Sequence, residues 1–242
     1  MLATDVMGAI TSDTTWSDPC YRITNDVTVQ SGVTLTIAAG VEITTLDGFD
    51  ELRVDGTLVV DGASFTGSFN NVQVNENGRA DISNSQFTGD GVFYAANSNG
   101  SVTDTRFNGG TLSVLSKVTL NSNTFTQSNP VTINPTYASQ LYTNTYETDA
   151  SVDIVGTVTG SASLESFTNL SRYRVINDVV VSSGITLSVL PGVAITTLDG
   201  FDEFRVDGTL DVDGAAFEGS FNNVTVNANG RANIANSQFT GD

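Results

Sequence analysis

Histidine is absent from these 242 residues, which removes the commonest general base and the commonest zinc ligand. Cysteine occurs once, as Cys20, so no disulfide can form within the chain and no thiolate cluster can hold a metal. Lysine also occurs once, as Lys117, and acidic residues outnumber basic ones 27 to 9, a formal charge of −18. That balance repels phosphate backbones and anionic membrane surfaces, so nucleic acid is not an expected partner. No stretch approaches the roughly 18 apolar residues that cross a bilayer, so no membrane insertion is expected. The first residues carry neither a basic region nor an apolar one, so an export signal is expected outside the sequence given. Proline is scarce too, at 4 residues.

What is abundant is β-branched. The 33 Thr, 28 Val and 11 Ile make up about 30% of the chain, beside 22 Asn and 23 Gly. Such a composition favours strands joined by tight turns over helices. Segments such as Val27-Thr-Val29 and Val33-Thr-Leu-Thr-Ile37 place apolar side chains on one face at period two. Asp55-Gly56, Asp61-Gly62, Asn77-Gly78 and Asn99-Gly100 punctuate them.

Repetition then selects the architecture. Tyr21–Asp90 aligns without a gap on Tyr173–Asp242 at an offset of 152, with 52 identities in 70 positions. ITTLDGFDE occurs at Ile43 and at Ile195, FNNV at Phe69 and Phe221, and NSQFTGD at Asn84 and Asn236. Inside the module a shorter period appears. Aromatic residues stand at Phe65, Phe87, Phe107, Phe125, Tyr146 and Phe167, in steps of 22, 20, 18, 21 and 21, then at Phe217 and Phe239. Five residues before them stand Val60, Ile82, Val102, Leu120, Leu141, Ala162, Val212 and Ile234. A β-sandwich has no reason to place an aromatic every 21 residues, whereas a solenoid does.

The predicted fold is therefore all-β: a right-handed, single-stranded parallel β-helix of about 11 coils of ~21 residues, essentially without helix. Its expected organisation is a cap or first coil over 1–26, a first module over 27–152 and a partial second module over 153–242 that repeats 5–90. These would form one continuous solenoid, a rod on the order of 50 Å at strand spacing. Stacked inside would be the aromatic column and the aliphatic one. A polar ladder is expected at an inward bend from Asn84, Asp104, Thr143 and Asn236, three residues before the aromatics. Trp16 and Tyr21 are expected to cap the open coil end.

The coil ending Ile82-Ser-Asn-Ser-Gln-Phe-Thr-Gly89 resembles the parallel β-helix repeat of pectin-lyase-like proteins. The opening Thr15-Trp16, Tyr21 and Gly32-Val-Thr-Leu-Thr-Ile-Ala-Ala-Gly40 resembles the first coils of secreted bacterial β-helix surface proteins. The resemblance implies lyases, hydrolases, adhesins and inert stalks alike. Its hydrolases need aspartates with a histidine, which this chain lacks; its lyases imply a carboxylate-held calcium beside an arginine base, for which Arg53, Arg79, Arg106 and the copies Arg205 and Arg231 are the chief candidates. Arg53 alternates with Leu52 and Val54, so it is expected to point outward, near Asp50 and Asp55, in a surface ion pair.

The acidic loop Asp47, Asp50 and Glu51, with its copy Asp199, Asp202 and Glu203, is the candidate calcium site, since hard oxygen ligands packed closely suit Ca2+. Its spacing matches neither the EF-hand nor the glycine-rich nonapeptide. The competing reading is a solvated turn with Phe49 and Phe201 folded against the coil edge. Thr34-Leu-Thr36 raises an ice-binding array, but its copy reads Thr186-Leu-Ser188. The expected function is non-enzymatic: a stalk, adhesin or filament element of a larger secreted or cell-surface repeat protein. It would need no cofactor and would self-associate, end to end or with other copies, or take a surface glycan or protein ligand. A calcium-dependent carbohydrate-binding module and a polysaccharide lyase are the alternatives.

Overall fold

A computed structural model describes residues 2–67, 71–89, 91–219 and 223–240. The repeated FNNV segments begin at Phe69 and Phe221, outside the described residues. The chain is a nearly all-β parallel β-solenoid of about 11 turns, divided into two compact units. One comprises Met1–Pro130 with Thr143–Thr145, the other Val131–Tyr142 with Tyr146–Asp242.

In the first unit, six strands from successive windings form one parallel sheet: Thr14–Trp16, Thr34–Ile37, Thr57–Asp61, Arg79–Ser83, Asn99–Thr103 and Val118–Asn121. Its register sets Val60 on Ile82, Ile82 on Val102 and Val102 on Leu120. Each of these side chains is at most 2% exposed, so the aliphatic column is an interior one. The aromatic column lies beside it. Tyr21 pairs with Ile43, Ile43 with Phe65, and the series continues through Phe87, Phe107 and Phe125. The four phenylalanine rings stack face to face at centroid distances of 4.4, 5.1 and 5.0 Å. Identical strand register forces this arrangement, because parallel windings lie about 4.8 Å apart and offset-stacked rings are comfortable at that spacing.

The second unit repeats the plan. Ala162–Leu164, Thr186–Val189, Thr209–Asp213 and Arg231–Ala235 form a four-stranded parallel sheet. Tyr173, Ile195, Phe217 and Phe239 take the places of Tyr21, Ile43, Phe65 and Phe87. Three expectations fail here. Phe167 does not join a face-to-face stack; it meets Tyr142 and Tyr146 edge-on at 5.1 and 5.7 Å. Ala162 pairs with Leu187, so Leu164, which pairs with Val189, occupies the column assigned to Ala162. Leu141 lies in a short 3-10 helix, Pro135–Leu141, where no helix was expected. Pro135 cannot donate to a sheet ladder and its φ suits a helix start; the Asn134 side chain accepts from the Thr136 amide at 2.9 Å.

The inward polar ladder also departs from expectation, by one residue. Asn84, Asp104 and Asn236 are exposed and adopt left-handed backbone, with φ of 49°, 50° and 51°. They turn the corner, as Gly62 does one winding earlier with φ 71°, and asparagine and aspartate tolerate this conformation best after glycine. Thr143 is exposed too. The left-handed corner sends the next side chain inward. Ser85, Thr105 and Asn123, at 4%, 1% and 0% exposure, form the ladder instead. Each accepts the backbone N–H of the preceding winding: Ala63 to Ser85 Oγ at 3.2 Å, Ser85 to Thr105 Oγ1 at 3.4 Å, Thr105 to Asn123 Oδ1 at 3.0 Å. Backbone amides that the bend removes from the sheet ladder are thereby satisfied.

Candidate functional site

The acidic loop joins two strands of adjacent sides, Glu42–Thr45 and Glu51–Val54. Thr45 is 6% exposed, and its hydroxyl donates to the Asp47 carbonyl oxygen. The Asp47 carboxylate then accepts the Phe49 amide at 3.0 Å, which closes the turn. The copy is built alike, with Asp199 Oδ1 accepting from the Phe201 amide at 2.9 Å. This tight turn lifts its apolar residues away from the coil. Phe49 is 84% exposed and Phe201 85%, with Leu46 at 59% and Leu198 at 56%. Both phenylalanines therefore stand out in solvent rather than folding against the coil edge.

Next to each turn lies an ion-pair cluster. Arg53 bonds Glu51 at 2.9 Å and Asp26 at 2.9 Å, and the same Asp26 accepts the Glu51 amide at 3.0 Å. Arg205 bonds Glu203 at 2.7 Å and Asp178 at 2.9 Å, with the Glu203 amide on Asp178 at 3.2 Å. Arg53 points outward as expected, but its partners are not Asp50 and Asp55. Residues two apart share a strand face, which brings Glu51 to it, and the previous winding supplies Asp26. Asp55 instead accepts from Asn75 Nδ2 at 2.7 Å. Nothing in the local sequence marks Asp26 or Asp178, since each is 25 residues from the amide it receives.

The six carboxylates singled out in the two loops thus divide by environment. Glu51 and Glu203 are held by arginine. Glu203 is drawn below the usual carboxylate range, first by the Thr225 hydroxyl at 2.6 Å and then by Arg205. Asp50 and Asp202 move the other way, raised by burial first and then by Asp47 and Asp26, or Asp199 and Asp178. Asp202 is 8% exposed, and one carboxyl oxygen of each, Oδ2, is buried with no hydrogen-bond partner. Among the described residues, no group of three or more His, Cys, Asp or Glu side chains is placed to hold a metal ion.

Elsewhere several chemistry-bearing residues are engaged in structure. Trp16 and Tyr21 stack at 4.8 Å and are 5% and 7% exposed, so they fill the first winding and offer no ring face to a sugar. Tyr21 Oη accepts the Ser17 and Asp18 amides at 3.1 and 3.2 Å. Arg79 bonds Asp81 at 2.6 Å. Thr34 pairs with Thr57 and Thr36 with Val59, but the next winding presents Arg79 and Asp81, so no threonine array continues across the sheet. A shallow hollow of about 520 Å³ on the second unit is lined in part by Ser183, Asp207 and Asn227; its one carboxylate accepts from Asn227 Nδ2 at 2.8 Å. Cys20 is a free thiol, half-buried. No helix is long and apolar enough to cross a membrane among the described residues.

No protein-family model matches this chain, and neither a curated protein nor a solved structure does.

Proposed function

We propose that this chain is a non-enzymatic structural or adhesive segment of a larger secreted or cell-surface repeat protein. The observation that carries the reading is a solenoid interior filled, winding after winding, by stacked aliphatic and aromatic side chains. A filled interior confines any chemistry to the outer faces. There two of the candidate lyase bases, Arg53 and Arg205, are each held between two carboxylates, and Arg79 is paired with Asp81. An arginine so paired is stabilised in its charged form and is a poor proton acceptor. The likeness of the coil endings to pectin-lyase-like repeats and of the first coils to bacterial surface β-helices supports an extracellular setting.

Duplication supports the same reading. Of the 18 differences between the copies, only three fall at buried positions: Ile23/Val175, Ile37/Val189 and Leu52/Phe204. Module copying with drift confined largely to the outside suits a repeated mechanical element. Incubation with polygalacturonate and with alginate, in the presence of calcium, tests the proposal. No unsaturated product is expected; its appearance, with loss on Arg53→Ala or Arg205→Ala, overturns the reading in favour of a lyase.

A further inference from the structure

We propose that the loop Leu46–Asp50 and its copy Leu198–Asp202 each dock a lysine- or arginine-bearing segment of another polypeptide, which goes beyond the structural reading by naming a partner chemistry. Three observations converge on these loops. Each sets one aromatic and one aliphatic side chain in solvent, Phe49 with Leu46 and Phe201 with Leu198, and the phenylalanines are the most exposed aromatic residues of the chain's described part. Beside them stand carboxylates that no cation of this chain neutralises: among the described residues Asp47, Asp50, Asp199 and Asp202 take part in no ion pair, while the neighbouring arginines are spent on Glu51, Asp26, Glu203 and Asp178. Within this negative surround Asp202, nine-tenths buried, keeps a carboxyl oxygen without a hydrogen-bond partner.

A long cationic side chain answers these features together. Its charged head meets the exposed Asp47 or Asp199 carboxylate within the field of the more buried Asp50 or Asp202, its methylene stem covers the exposed leucine, and the phenylalanine face attracts the cation. A metal ion answers only the charge; it leaves Phe49 and Phe201 unexplained, and the ligating side chains are not gathered for one. A neutral glycan answers only the aromatic ring. The net charge of −18 adds long-range attraction for a basic partner and speeds the encounter. The loop residues are identical in both copies although most differences between the copies lie at non-buried positions, so the same surface is offered twice.

A fluorescein-labelled nona-arginine peptide is the probe, titrated in fluorescence anisotropy against the full chain and against the double variant Phe49→Ala/Phe201→Ala. The variant keeps every charge and removes only rings that are 84% and 85% exposed, so its fold is expected intact. The expected result is binding by the parent and about fivefold weaker binding by the variant, the loss of a cation–π contact at an exposed site. Equal affinity of the two proteins overturns the proposal, because the peptide is then held by net charge alone. So does phenylalanine-dependent retention of a neutral oligosaccharide with no such dependence for the peptide. Should the double variant unfold, Phe49→Tyr/Phe201→Tyr serves in its place: retained affinity upholds the ring's role, and a loss like that of removing the loop carboxylates refutes it.

Discussion

Phe87 provides the sharpest test of like-on-like stacking. Its ring is fully buried, 4.4 Å from Phe65 and 5.1 Å from Phe107. A phenylalanine buries about 200 Å², which at about 25 cal/mol per Å² is worth roughly 5 kcal/mol against an extended chain. Residual burial in the unfolded ensemble trims that figure, and the two ring stacks add back about 1 kcal/mol. Phe87→Ala should therefore cost about 4 kcal/mol, within the usual span for a large core truncation. The same substitution at two other phenylalanines supplies the control. Phe239 is the copy of Phe87 in the second module but among the described residues stacks only on Phe217, at 4.5 Å, and is 55% exposed. Its loss should cost less than half as much. Phe49, in the exposed loop, should cost under about 0.5 kcal/mol. Urea denaturation followed by circular dichroism measures all three, with the m value checked for constancy because windings couple mainly to their neighbours. Equal losses for Phe87→Ala and Phe49→Ala would refute the stacking argument.

The polar ladder predicts an asymmetry between the left-handed corner column and the inward column that follows it. Asn123→Ala strands the Thr105 amide and the Val102 carbonyl, which its side chain meets at 3.0 and 2.7 Å in a fully buried site, and should cost about 3 kcal/mol. Asn84→Gly, at the exposed left-handed corner, loses one bond to Asp61 at 2.7 Å and should cost under about 1 kcal/mol; thermal melts that reverse this order would place the ladder at the wrong residue. Asp202 gives a pH signature. Its folded pKa lies above the ordinary carboxylate value, so the folded chain takes up that proton more readily than the unfolded one, and ionisation at higher pH costs stability. Asp202→Asn should thus be more stable than the parent at pH 7, with the gain disappearing as the pH falls through the raised value. Glu203, whose pKa is lowered, runs in the opposite sense: its contribution is present above the unfolded value and is lost as the pH falls through the folded one. A parent more stable than Asp202→Asn at neutral pH would mean that the orphaned oxygen has a partner.

The period of the sequence determined the winding. Aromatic and aliphatic residues at near-constant steps must lie over one another if each step is one turn, and Phe65 to Phe125 do, because that column depends only on spacing and on the period-two alternation of strands. The step near Phe167 misled because a spacing of 21 does not reveal an interruption: Pro135 opens a helix, and in the second unit Tyr173, which pairs with Val152 and Ile195, rather than Phe167 begins the aromatic column. The acidic loops were visible as a motif, but the division of their carboxylates was not. Whether a carboxylate meets an arginine, a buried pocket or solvent depends on the neighbouring winding, and Asp26 and Asp178 arrive from 25 residues away. The inward ladder fell one residue from its expected place for a related reason. Alternation alone puts every second side chain inside, and only the left-handed corner at Asn84 and Asp104 breaks that alternation and turns Ser85 and Thr105 inward. One-dimensional order thus sets which residues recur, while the corners and contacts between windings, made by residues distant in sequence, decide which way each one faces and what it meets.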